Sequence, residues 1–209
     1  MVYLPPLFTE TRSEVLLAHI ERYDFALLLT HSAAGLTASQ IPFLVEQRDG
    51  RLYLQGHLAR ANPQVGDFDP GGDALAIFAG PHAYISPSWY GEGPAVPTWN
   101  YATVHAYGTV QAIHDAAWLH EFVDRLSKRH EAREPTPPWR MQDQPQAYLD
   151  RMLGGIVGFE LAVERLEGKF KLSQNRPAGD RPRIIAALER REDAESREVA
   201  QLMAGRQPR

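Results

Sequence analysis

The chain has 209 residues, 44% of them hydrophobic, with a formal net charge of −4 at pH 7, which suits one domain with a sizeable core and excludes bulk disorder. It contains no cysteine, so disulfides, thiolate catalysis and cysteine-ligated metal centres are excluded and a reducing cytoplasm is the expected setting. The acidic balance leaves only a local basic face for nucleic acid, best placed on Lys169, Lys171, Arg176, Arg181 and Arg183, with a solvated helix approach or a site for one small anion as an alternative of at least equal weight.

In chain order, the start M-V-Y-L-P-P-L-F-T-E shows no signal-peptide pattern, and no run approaches the ~18 apolar residues of a membrane span. T-R-S-E-V-L-L-A-H-I predicts a helix, with Thr11 and Glu14 at capping-box spacing and Val15, Leu16, Ala18, His19 and Ile20 giving it an apolar side. D-F-A-L-L-L-T, T-A-S-Q-I-P-F-L-V-E, R-L-Y-L-Q-G and A-L-A-I-F-A-G read as strands, the second and third joined by the hairpin turn R-D-G. Pro42 inside the second run marks an edge or a bulge. H-A-Y-I-S, a loop P-S-W-Y-G-E-G-P-A-V-P and a long strand N-Y-A-T-V-H-A-Y-G-T-V-Q-A-I follow. That strand alternates, with Tyr101, Thr103, His105 and Tyr107 on one face and Ala102, Val104 and Ala106 on the other. Asp115 is positioned to cap a helix carrying Trp118, Phe122 and Leu126 on one stripe. A proline-stiffened loop leads to a short helix that stops at Gly154 and Gly155. I-V-G-F-E-L-A-V-E-R-L-E-G-K-F-K-L-S is a last strand pair or one long bent strand, and the charged stretch from Arg183 is helical.

Consecutive strands with short turns, then helix, strand and helix, predict an α+β fold around an antiparallel sheet. A Greek-key barrel of about six strands, with peripheral helices and a helical C-terminus, is the expected architecture.

Three segments bear chemistry. The first is G-H-L-A-R-A-N-P after a strand end, where Arg60 offers a fork of donors, Gly56 permits close approach and His57 and Asn62 add polar groups. It is open to two readings: an anion-binding turn, or a turn in which Arg60 pairs a surface carboxylate and Asn62 caps Asn-Pro-Gln-Val. The second is G-P-H-A-Y-I-S-P-S-W-Y-G with V-P-T-W-N-Y, whose aromatic loops suit a planar ligand or else close a barrel mouth or dimer interface. The third is K-F-K-L-S-Q-N-R, a second anion clamp or a plain strand-to-helix turn capped by Asn175. No H-E-x-x-H, P-loop, G-x-S-x-G or G-x-G-x-x-G motif appears, so no metal site is expected. No segment reads as a helix-turn-helix.

Together M-V-Y-L-P-P-L-F, G-H-L-A-R-A-N-P, G-P-H-A-Y-I-S-P-S-W-Y, V-P-T-W-N-Y-A-T-V-H-A-Y-G and K-L-S-Q-N-R resemble the PaiB family of FMN-binding negative transcriptional regulators, from the first residue to Leu188. The resemblance implies an FMN-binding split barrel similar to the pyridoxamine-phosphate oxidase and flavin reductase group, over residues 1–188, with 189–209 a charged helical tail. It implies a homodimer with FMN at the subunit interface. His57, Arg60 and Asn62 would hold the FMN phosphate, with Lys171, Gln174 and Arg176 as further contacts. Trp89, Thr98, Trp99 and Asn100 would lie near the isoalloxazine or across the dimer, and Ser39 and Gln40 would meet the flavin edge. Two functions follow: a regulator whose flavin state alters gene expression, touching DNA if at all through Lys169–Arg183; or an FMN-dependent oxidoreductase, with His105 or Tyr101 as acid or base unless His105 is a packed core residue. A dimeric barrel that has lost its ligand is the third reading.

Overall fold

The computed structural model describes residues 2–33, 35–68, 71–91, 93–134 and 136–206. Its strands are β1 (Thr9–Glu10), β2 (Phe25–Ser32), β3 (Gly35–Pro42), β4 (Leu44–Arg48), β5 (Arg51–Ala59), β6 (Gly72–Ile85), β7 (Thr98–Ile113) and β8 (Ile156–Lys171). The helices are α1 (Ser13–Arg22), α2 (Ala116–Glu131), α3 (Gln146–Gly154), α4 (Asp180–Glu189) and α5 (Ala194–Ala204). The sheet runs in the order β3-β2-β6-β7-β8-β5-β4, with β1 beside β8, and the pairs β1–β8, β2–β3, β2–β6, β4–β5 and β5–β8 are antiparallel. The fold is thus α+β around an antiparallel sheet of eight strands.

The strand count exceeds the expected six because Thr9–Glu10 adds β1 and the run around Pro42 is two strands. Phe43 breaks it, donating its backbone N–H to the Asp24 carbonyl at 2.9 Å, and β3 and β4 then lie at opposite ends of the sheet order. Seven strands laid flat at ~4.8 Å spacing would hold those ends roughly 29 Å apart. Phe43 alone joins them, and two Cα–Cα steps reach only about 7 Å. The sheet must therefore curl until its ends approach, which closes the barrel. A-L-A-I-F-A-G and H-A-Y-I-S prove to be one strand, β6, running through Pro81. β2 pairs with β6 only over Ala74–Ile77, so the missing proline N–H falls beyond that ladder. The last strand is single and continuous, β8.

The chain divides into two compact units, one of Met1–Tyr23, Phe78–His105 and Leu166–Arg209, the other of Asp24–Ile77 and Ala106–Arg165. In the second unit Phe159 packs its ring against Phe43 and Phe68, with centroids 5.9 and 5.2 Å apart. Asp115 caps α2 as expected, accepting the Trp118 N–H at 2.7 Å, and Phe122 and Leu126 are buried against Leu44. In the first unit Ile20, Phe170, Leu172, Ile184, Leu188 and Val199 are among the buried residues. The α1 cap differs from the capping box. Arg12 stands at the N-cap without capping the helix through its side chain, and the Glu10 carboxylate accepts the backbone N–H groups of Thr11 and Arg12 at 3.0 Å each. Glu10 also accepts from the guanidinium groups of Arg12 and Arg206. Hydrogen bonding from Arg12 leads the effects that hold its carboxyl at about 2. Among the described residues, no helix is long and apolar enough to cross a membrane.

Candidate functional site

The residues singled out in the sequence fall into two groups, one in each unit. The first group surrounds the end of β5. Arg60 donates its backbone N–H to Gly155 O at 2.8 Å, its Nε to Gly154 O at 2.8 Å and its Nη2 to Ile156 O at 2.9 Å. It therefore clasps carbonyls at the C-terminal end of α3, where a cation is favoured, rather than a surface carboxylate. Its Nη1 has no partner among the described residues, and the side chain is exposed. Asn62 does cap the following turn, accepting the Gln64 N–H at 3.0 Å, while its Nδ2 donates to Ser39 Oγ at 3.1 Å. Ser39 and Asn62 are thus brought together. Gln40, opposite Leu27 in the ladder, is exposed.

His57 is the unusual member. Its ring meets Phe122 edge-on with centroids 5.7 Å apart, and its Nδ1 is buried without a hydrogen-bond partner. Burial pushes the imidazole below its ordinary pKa, so it is neutral at pH 7. Gly56 next to it has no room for a side chain, since an added Cβ would lie 2.5 Å from the Phe159 ring. Sequence reasoning missed Gln64, fully buried, whose Nε2 donates to Leu28 O and Thr30 Oγ1 at 3.1 Å each. Its Oε1 is buried without a partner too. The motif Asn-Pro-Gln-Val signals the turn but not that its glutamine enters the barrel.

The second group joins the start of β7 to the end of β8. Lys171 Nζ donates to Thr98 Oγ1 at 2.5 Å, and the buried Asn100 donates to Ser173 Oγ at 2.9 Å. The aromatic segment and K-L-S-Q-N-R thus meet, as neither segment alone could announce. Gln174 folds back on its own strand, accepting the Leu172 N–H at 2.6 Å and donating to Phe170 O at 2.5 Å. Arg176 lies over the Tyr90 ring at 3.9 Å and grips Asp180 Oδ2 with Nε at 3.0 Å and Nη2 at 2.8 Å. Asp180 Oδ1 accepts the Gly91 N–H at 2.7 Å, the first cause of its lowered pKa. Trp89 sits beneath the Arg191 guanidinium at 5.1 Å. Trp99 is 52% exposed and meets Tyr84 edge-on.

His105, half-buried on β7, is pushed below its ordinary pKa by burial first and then by neighbouring positive charge, that of Lys169 included. A cavity of about 500 Å³ between α1 and α5, with His19 and Phe170 in its wall, involves none of the sequence-selected site residues. A second of about 390 Å³ reaches Gln174.

Residues 2–165 match the family model described as "Putative FMN-binding domain". Protease synthase and sporulation protein PAI 2 of Bacillus subtilis is 34% identical over 202 residues, which is 97% of this chain and 96% of that protein. The solved FAD and heme binding protein from Mycobacterium smegmatis is similar with a TM-score of 0.56 at 15% identity, over 78% of this chain and 73% of that one. The flavocytochrome Anf3 from Azotobacter vinelandii is similar with a TM-score of 0.52 at 14% identity, over 78% and 69%. At such identities the two structures share the fold.

Proposed function

This chain belongs to the PaiB family and carries its FMN-binding domain on a split barrel, and from that membership we propose that it is a homodimeric negative regulator of transcription controlled by its flavin. The observation that carries the reading is the unsatisfied polar chemistry at the end of β5. A buried ring nitrogen without a partner is disfavoured by about 1–3 kcal/mol, and His57 Nδ1 is such an atom. Beside it in sequence, Arg60 keeps Nη1 uncommitted. In the other unit Lys171 keeps two of the three N–H groups of an ammonium beyond its bond to Thr98. These donors suit a phosphate ester and a polar flavin edge.

In this reading Arg60 and His57 contact the flavin phosphate and Ser39 and Gln40 the flavin edge in one unit; Lys171, Thr98, Trp89 and Trp99 are the second set of flavin contacts, in the other. Asn100, Gln174, Arg176 and Asn62 are engaged with the protein and shape the turns that carry the others. Bound FMN supplies a redox-active ring, so occupancy or redox state is the controlling variable. A broad DNA-binding face is disfavoured. The net charge is −4, Arg176 is spent on Asp180, and the buried Arg181 donates to the carbonyls of Leu172, Met203 and Arg206. Repression therefore runs through a few local contacts or a partner.

Titration of the purified protein with FMN, followed by flavin fluorescence, tests the cofactor contacts. Saturable binding weakened about tenfold by Arg60→Ala is expected, a change of about 1.4 kcal/mol. Equal binding by the variant would remove Arg60 from the site. Transcript profiles of cells lacking the gene, complemented by wild type or Arg60→Ala, test the regulation. Genes that rise in the deletion should fall only with the wild type. Identical profiles in the deletion and the wild type would end the regulatory reading.

A further inference from the structure

We infer that Lys169 and Lys171, on one face of β8, form an oxyanion site that takes the phosphate group of a small molecule. Lys169 is 9% exposed. Its Nζ lies 5.3 Å from the ring centroid of Tyr3 and 5.6 Å from that of Tyr101. Among the described residues it meets neither a carboxylate nor a hydrogen-bond acceptor. An ammonium taken out of water without an anion is an arrangement proteins avoid. Two aromatic faces attract the charge, but they leave its N–H groups without lone pairs to bond.

Strand alternation puts Lys171 next on the same face and the buried Glu167 on the other side of Lys169, where Glu167 accepts the Val2 N–H at 2.9 Å. Its ammonium donates to Thr98 Oγ1 and has no carboxylate partner among the described residues either. The remaining polar side chains of the turn are directed elsewhere: Gln174 bonds its own strand and Arg176 grips Asp180. The positive field is felt at His105, which Lys169 helps to keep neutral. Charge selects the ligand. Two ammonium groups match the roughly −1.5 to −2 of a phosphate monoester, whereas a carboxylate would leave one cation unbalanced. The Thr98 hydroxyl, accepting from Lys171, has its own proton to give to the same oxyanion.

The phosphate has two sources, the FMN phosphate or that of a separate metabolite, and the site does not depend on which. Calorimetric titration with inorganic pyrophosphate, FMN and riboflavin separates them, using wild type, Lys169→Met, Lys171→Met and the charge-preserving Lys169→Arg. Saturable pyrophosphate binding is expected in the wild type, weakened about tenfold or more in both methionine variants and retained in Lys169→Arg. FMN affinity falling in step, with riboflavin unchanged, would assign the phosphate to the flavin. FMN affinity unchanged would assign it to a separate molecule. Thermal melts check folding, and Lys171→Met, altering a less buried side chain, keeps the test alive if Lys169→Met fails to fold. A wild type that does not bind pyrophosphate, or methionine variants that bind it as well, overturns the site. Pyrophosphate bound by a wild type that takes neither flavin would remove the flavin reading and leave this one standing.

Discussion

At the scale of single residues, His19 shows how burial sets protonation. Its Nε2 lies 3.0 Å from the Phe78 carbonyl oxygen, so that nitrogen carries the proton and donates. Burial, against the opposing effect of this hydrogen bond, pushes its pKa from 6.5 to about 4. The unfolded chain binds a proton at this imidazole below pH 6.5, while the folded chain resists until about pH 4. The stability it contributes is therefore complete above pH 6.5 and is lost as pH falls from there to about 4, by about 3 kcal/mol. Urea unfolding at steps between pH 7 and 4 should show this slope in the wild type and a shallower one in His19→Gln, whose amide can still donate to Phe78. Equal slopes would show that His19 is not the source. Residue types of this kind were legible in the sequence, but their partners were not. His57, Arg60 and Asn62 stood out at once, yet nothing in their spacing said that Arg60 would meet three residues around Gly155 or that Asn62 would reach Ser39. Such contacts depend on which strands become neighbours, and a linear pattern does not encode that.

At the scale of elements, helices and strands followed from periodicity and cap chemistry. The alternation of β7 survives in its burial, with Asn100, Ala102, Val104 and Ala106 inward. Two departures came from contacts that periodicity does not encode: Glu10 replaced the Thr11 cap, and Phe43 divided one run into β3 and β4. The docking of α2 rests on similar contacts. Asp24, beside that division, is buried and pairs with Arg129 of α2 at 2.9 Å, and the Trp118 ring occupies the space that a side chain at Gly158 would need, 2.3 Å from an added Cβ. Arg129→Met would leave the Asp24 carboxylate buried against α2 without this cation, and should cost about 3 kcal/mol, the low end for a broken buried pair because Arg129 is partly exposed. Gly158→Ala should cost about 1–3 kcal/mol by overpacking. Urea denaturation followed by tryptophan fluorescence measures both. A change under half a kilocalorie in either, on the order of an ordinary surface substitution, would mean that α2 is held by its apolar stripe alone.

For the molecule as a whole, the outward face of the sheet in the barrel unit argues for a second copy of the chain. Odd-numbered residues of β2 point away from the core, and Phe25 and Leu27 are 60% and 37% exposed. Across the ladder to β6, Leu27 faces Ile77 and Leu29 faces Leu75, and Leu36 of β3, 77% exposed, lies further along the same face opposite His31. Isolated exposed side chains need no explanation, but several large apolar side chains on one sheet face do. A stable partner interface buries about 800 Å² on each side, and a self-complementary face is the simplest way for one sequence to supply both. The family membership, with the expected flavin between subunits, points to the same partner. Leu36→Lys and Phe25→Glu each place a charge on that face while leaving the inward residues Ala26 and Leu28 untouched. Sedimentation equilibrium should give twice the 23.5 kDa chain mass for the wild type and the single mass for the paired variant, with an unchanged circular dichroism spectrum. If the paired variant sediments as the wild-type dimer does, the interface lies on another face. If the wild type is a monomer, the expectation of a flavin shared between subunits falls with it.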